Sequence, residues 1–164
     1  MTEAIVELHD AMSAAQIPHA FGGALVLARC TRDPRGANDV EVLQHDGQHR
    51  LDWDGTPVDL FFNTTEFHNA VATRVVTRRF LDRDMPFLRA ADLVVFKALF
   101  NRPKDWVDIV EVVAWEGFDD AAVLGVLVHY LGLDDERVAA MRKILTSSPP
   151  DRYEPNLRGI IPGN

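Results

Sequence analysis

His49-Arg50-Leu51-Asp52-Trp53-Asp54-Gly55-Thr56-Pro57-Val58-Asp59-Leu60-Phe61-Phe62 is the stretch on which the fold turns. His49 to Trp53 and Pro57 to Phe62 read as strands, and Asp54-Gly55 between them is a strong tight-hairpin signal. Working back from the hairpin, Val40 to Leu43 reads as another strand, preceded by a loop at Asp33-Pro34-Arg35-Gly36. Before that loop, residues 18 to 21 read as a short strand, Gly22-Gly23 as a turn and Ala24 to Arg29 as a helix. Ile5, Leu8, Met12 and Ala15 recur at helical spacing, which predicts a first helix over residues 3 to 15, ended before Ile17-Pro18. Working forward, a helix from about Thr65 to Ala72 and strands at 75–80 and 85–88 complete an α/β half.

After Arg89 the period becomes helical and stays so. Asp92 to Phe100, Pro103 to Trp115, Asp119 to Leu131 and Asp134 to Leu145 read as four helices. Pro103 suits a first helical position, and Gly117 and Gly132 fall where helices end. The expected organisation is therefore an α/β core over residues 1–89, a helical part over 90–146 packed on it, and an extended or disordered tail over 147–164, where prolines accumulate and periodicity stops.

A chain of 164 residues that is 47% hydrophobic is long enough to bury a real core. No apolar run approaches the roughly 18 residues of a membrane span, and no signal-peptide core is visible, so the expectation is a cytoplasmic protein with no membrane partner. Cys30 is the single cysteine, which excludes an internal disulfide and a thiolate zinc site and marks it as a small buried hydrophobe. The net charge of −8 argues against a broad nucleic-acid-binding surface driven by phosphate neutralisation. Between Arg74 and Lys104, however, basic residues outnumber acids. That stretch reads either as a receiver of phosphate or as a solvated strand edge.

The chemistry concentrates in a few positions. Asp39 and Glu41 stand two apart on a strand, so both carboxylates share a face and can reach one ion, while Val40 and Val42 face the core. Taken alone, that spacing is also what a solvent-facing alternation looks like. Asp59 sits in an apolar run where a lone carboxylate is costly unless paired, hydrogen-bonded or metal-bound; the alternative is an edge-strand Asp in water. Gly22-Gly23 before a helix lets backbone N–H groups approach phosphate oxygens, although a glycine pair is also an ordinary turn. Lys97 lies among Val94, Val95, Phe96, Ala98, Leu99 and Phe100, and either snorkels or reaches into a cleft to meet an anion. Arg102, Lys104, Asp105 and Asp108 form a helix-entry cluster in which Asp105 caps and Asp108 holds Lys97 or Lys104. The six histidines show no ligand spacing, and the three tryptophans read as packing residues.

The order Gly22-Gly23, Asp39-Val40-Glu41, then a single Asp59 resembles the DNA polymerase β superfamily of nucleotidyltransferases. Ala91 to Leu99 running into Arg102-Pro103-Lys104-Asp105-Trp106-Val107-Asp108-Ile109 is similar to the subgroup related to abortive-infection (type IV) toxin nucleotidyltransferases. Together the matches span roughly residues 17 to 113. The resemblance implies a small mixed β-sheet with a C-terminal helical bundle and a nucleoside triphosphate as substrate. It implies Mg²⁺ or Mn²⁺ on Asp39, Glu41 and Asp59, with Asp59 placed to hold the catalytic metal or accept a proton. It places phosphate contacts at Gly22, Gly23 and Lys97, supported by Lys104 and Asp108. An RNA or tRNA acceptor and an antitoxin-like protein partner belong to the same implication.

Two departures from the pattern stand out. Gly23 lacks the hydroxyl that relatives often carry at the second position of the turn. The connection from Glu41 to Asp59 is short where relatives insert a helix, which means either a minimal sheet or a loop partly missing from the sequence. A minimal sheet leaves open a fold that binds nucleotide, or a partner protein, without turnover; small-molecule acceptors of the aminoglycoside type also remain open.

Overall fold

The computed structural model describes residues 2–31, 40–43, 48–63, 65–115 and 118–146. In chain order they form α1 (Thr2–Ala14), α2 (Gly23–Thr31), β1 (Val40–Leu43), β2 (Gln48–Trp53), β3 (Thr56–Phe61), α3 (Glu66–Ala72), β4 (Val76–Phe80), β5 (Arg83–Phe87), α4 (Ala90–Phe100), α5 (Pro103–Val113), α6 (Val123–Leu131) and α7 (Glu136–Thr146). Asp39, Gly117 and the tail expected from residue 147 lie outside the described residues.

The hairpin forms where Asp54-Gly55 predicts it. Asp54 and Gly55 both take positive φ, 49° and 73°, as a primed two-residue turn requires to match strand twist. The Asp52 carboxylate accepts the Gly55 N–H at 2.7 Å and closes the turn. Trp53 pairs with Thr56, and the antiparallel ladder runs back to Gln48 opposite Phe61. β1 adds on the other side of β3 and runs parallel to it, giving the order β1-β3-β2 in a small mixed sheet. β4 and β5 form a separate two-stranded antiparallel sheet.

The strand expected at 18 to 21 contracts to one residue. Phe21 makes a single parallel bridge to Phe87: its N–H donates to the Pro86 carbonyl at 2.9 Å, and the Leu88 N–H donates to the Phe21 carbonyl at 2.9 Å. Pro18 has no N–H to donate, and α2 begins at Gly23, so little chain remains to extend a ladder. The helices follow the periodicity closely. α1 buries Ala4, Ile5, Leu8 and Met12, and Thr65 caps α3 by accepting the His68 N–H at 3.2 Å. α6 starts at Val123 rather than Asp119, because the Asp119 carboxylate accepts the Ala121 N–H at 3.2 Å and holds a turn ahead of the helix.

α4 is the central helix. It buries Leu93, Val94, Val95, Phe96 and Ala98, and packs against α2, α5, α6 and α7. α2 in turn lies against β1 and α5. One core cluster therefore runs from Phe21, Val58 and Phe87 through Leu93 and Ile109 to Leu127 and Met141, so the helical part closes the α/β half rather than standing apart. Cys30 is buried in that cluster. The class expected from the sequence, a small mixed α/β sheet with C-terminal helices packed on it, is the one observed. No helix among the described residues is long and apolar enough to cross a membrane.

Candidate functional site

Asp59 sits in β3 between Val58, which is 1% exposed, and Leu60. Alternation along the strand sends Val58 and Leu60 to one face and Asp59 to the other. The carboxylate is nonetheless buried, with the residue only 6% exposed. Burial of this kind requires a partner, and the partner is Arg50, its cross-strand neighbour on β2. Arg50 Nε donates to Oδ1 at 2.7 Å and Nη2 donates to Oδ2 at 2.6 Å, a two-pronged guanidinium–carboxylate pair. On the other side of β3, Glu41 of β1 is in register with Asp59. The row across the sheet is thus Glu41, Asp59, Arg50, with neighbouring strands about 4.8 Å apart.

The sequence reading had both acids of this row and missed the arginine. The signal was present: counting outward by equal steps from the two-residue turn at Asp54-Gly55 places Arg50 opposite Asp59. Asp39 precedes β1 and lies outside the described residues. Among the described residues no group of three His, Cys, Asp or Glu side chains could hold a metal ion. The one expected ligand whose side chain is described, Asp59, has both oxygens engaged by Arg50.

Gly22 and Gly23 are both buried, and Gly23 opens α2 with φ 55°, a conformation that favours glycine. The preceding residue, Phe21, is tied to Pro86 and Leu88. Since α2 packs on β1, the helix that starts at the glycine pair and the strand that carries Glu41 are adjacent layers of one structure.

Lys97 is buried and does meet an anion, but the protein's own. Its Nζ lies 2.7 Å from Asp108 Oδ2 and 3.5 Å from Asp105 Oδ1. Asp105 is fully buried at the first turn of α5, where it also accepts Arg102 Nε at 2.7 Å, Arg102 Nη2 at 3.0 Å and the Arg102 backbone N–H at 3.1 Å. Burial alone would push the Asp105 carboxyl up; the Arg102 hydrogen bonds and the Lys97 charge outweigh it and hold the group below its ordinary value. The capping expected of Asp105 is what the structure shows. Lys104 is exposed in the same turn and pairs with no carboxylate among the described residues.

Most basic residues of the stretch from Arg74 to Lys104 are paired with carboxylates of the protein. Arg74 Nη2 is 2.5 Å from the buried Asp92, Arg79 is 3.6 Å from Asp84, and Arg89 is 3.4 Å from Asp119. Arg83 pairs with Asp10 and Asp82, and Arg102 with Asp105. Asp10 and Asp119 are brought in from outside the stretch by the fold, and Asp92 reaches Arg74 from α4, whereas Asp82, Asp84 and Asp105 are near neighbours of their arginines in sequence.

No protein family is matched by the chain, and no curated protein is matched either. Among solved structures, an antigenic nucleotidyltransferase-like protein from Paracoccidioides brasiliensis aligns with 85% of this chain and 92% of its own, at 13% identity and a TM-score of 0.47. A likeness of that degree carries no argument about family or activity.

Proposed function

We propose that this chain is a nucleotidyltransferase domain that binds a nucleoside triphosphate and passes its nucleoside monophosphate to a hydroxyl acceptor, with RNA favoured over small molecules. The observation that supports it is the register of β1 against β3, which sets Glu41 beside Asp59 next to a helix opened by Gly22-Gly23. In this reading the acceptor oxygen attacks the α-phosphorus, the bond to the bridging oxygen breaks, and pyrophosphate leaves. Mg²⁺ or Mn²⁺, when bound, would neutralise charge on the attacking and leaving oxygens, and Asp39, Glu41 and Asp59 are the residues that would hold it. The N–H groups after Gly22 and Gly23 would face the phosphates, as a helix N-terminus does. Lys97, steadied by Asp108, and Lys104 would supply positive charge along the triphosphate.

A second reading is favoured by one specific observation. Arg50 engages both oxygens of Asp59, which suits a nucleotide-binding or protein-binding domain without turnover. The test is incubation with each labelled nucleoside triphosphate, Mg²⁺ or Mn²⁺, and total RNA, with an Asp39→Asn control. Label on RNA with release of pyrophosphate, lost in the control, is expected. Triphosphate binding without pyrophosphate release on RNA, protein or aminoglycoside acceptors moves the conclusion to a nucleotide-binding domain without turnover, and absence of triphosphate binding overturns both nucleotide readings and leaves the protein-binding one.

A further inference from the structure

α5 buries one face and leaves the opposite one bare. Asp105, Ile109 and Val112 turn inward, and the helix packs against α4, α2 and α7. At about 100° per residue, Pro103, Val107, Val110 and Ala114 then share one outward line, within about 60° of arc. All four are exposed, Val107 at 53% and Val110 at 37%. Steps of four, three and four apolar residues are the seam of a two-helix coil, whereas a solvated helix face carries polar side chains. One flank of the line is apolar: Trp106, whose indole N–H donates to Asn101 Oδ1 at 2.8 Å, and Val113, both half-buried. The other flank is charged, with Lys104 exposed in the first turn and Glu111 half-buried two turns later.

We propose that this stripe is an interface between two copies of the chain, with the two α5 helices packed antiparallel about a two-fold axis that passes between Val107 and Val110. Charge selects the occupant and its direction. In an antiparallel pair Val107 meets Val110 of the second copy, Pro103 meets Ala114, Trp106 meets Val113 and Lys104 meets Glu111, and the symmetry makes each contact twice. A parallel pair would set Glu111 against Trp106 and leave Lys104 with no acid opposite. The helix has 11 residues, a length of about 16 Å, so the contact is smaller than the roughly 1,200 Å² of a stable interface. The net charge of −8 on each copy adds repulsion. The dimer is therefore weak, with a Kd of about 100 µM, and it forms whether or not the chain binds nucleotide.

Analytical ultracentrifugation of the full chain between about 5 and 500 µM tests it, and wild type is expected to move from monomer toward dimer across that range. Val107→Glu sets two charges beside the axis and is expected to weaken association at least about tenfold, with Tm unchanged because the side chain is on the surface of the monomer. Lys104→Glu turns both cross-pairs from attraction to repulsion and should weaken it about tenfold as well. Mixing Lys104→Glu with Glu111→Lys sets acid against base on both sides of the axis, so the mixture should associate as wild type does while each variant alone does not. Should Glu111→Lys fail to fold, Lys104→Gln decides: it removes the attraction without adding repulsion and must fall between wild type and Lys104→Glu. Wild type that remains monomeric at about 500 µM overturns the proposal and leaves the stripe to a protein of different sequence. A dimer indifferent to Val107→Glu overturns it because the contact lies elsewhere, and a dimer weakened by Val107→Glu but not by Lys104→Glu overturns the antiparallel pairing on which it rests.

Discussion

Lys97→Met tests the reasoning about the buried charge cluster most directly. The ammonium lies 2.7 Å from Asp108 and 3.5 Å from Asp105, and the residue is 7% exposed. Removing one partner of a buried ion pair costs about 3–5 kcal/mol when the survivor is stranded. Here neither acid is stranded in full: Asp105 keeps the Arg102 fork, and the Asp108 side chain, 15% exposed, reaches water. Methionine also fills similar volume on a helix whose neighbours Val94, Val95, Phe96 and Ala98 are buried. The expected loss is therefore about half of that range, roughly 2 kcal/mol, and in a domain of this size about 4–8 °C in Tm. Urea unfolding followed by tryptophan fluorescence measures it. Lys97→Met with Asp108→Leu should recover part of the loss, because the pair is then removed as a unit, with a coupling of about 1 kcal/mol. A Lys97→Met protein as stable as wild type, with no coupling to Asp108, would refute the cluster and return Lys97 to solvent.

Gly55→Ala should cost about 1 kcal/mol in urea unfolding from backbone strain alone, because Gly55 holds φ +73° and an added Cβ meets nothing within 4 Å; a neutral result would mean that the turn relaxes to another type. Stability should also fall with acidification. Burial pushes the His68 imidazole below its ordinary value of 6.5, and burial, then His19 at 2.8 Å, does the same to His9. Asp10 opposes the His9 shift and Arg83 reinforces it, leaving the sign downward. The unfolded chain therefore takes up these protons first as pH drops through 6.5, so the urea midpoint should level off only well above that value and be lower at pH 5.5; an equal or higher midpoint at pH 5.5 refutes it.

Much of the fold was legible because its signals are local. Asp54-Gly55 fixed a turn, Thr65 announced a helix start, and the spacing of Ile5, Leu8 and Met12 marked a buried face. What was not legible depends on partners distant in the chain. Asp92 meeting Arg74, and Asp119 meeting Arg89, are products of tertiary packing, and they give two arginines of an apparently basic stretch carboxylate partners. Lys97 is an intermediate case: its apolar neighbourhood signals the need for an anion and the spacing names Asp108 as a candidate, but the second acid beside it, the capping Asp105, follows only from how α5 packs on α4. Arg50 was the avoidable omission, since the hairpin register that names it follows from the turn itself.

The hydrogen bonds that tie Phe21 to Pro86 and Leu88 set an order of assembly. Closing so long a loop of chain is entropically expensive and slow compared with forming a hairpin or a helix. A nascent chain that has emerged through α3 already carries the glycine pair and the strands with Glu41 and Asp59, yet lacks the hairpin edge to which the start of α2 is fastened. The acidic row can be complete in covalent terms while the helix beside it has no fixed point of departure. Only when β5 and Leu88 have left the ribosome does the first part of the candidate site acquire its anchor, so its earliest residues in sequence are among its last in place.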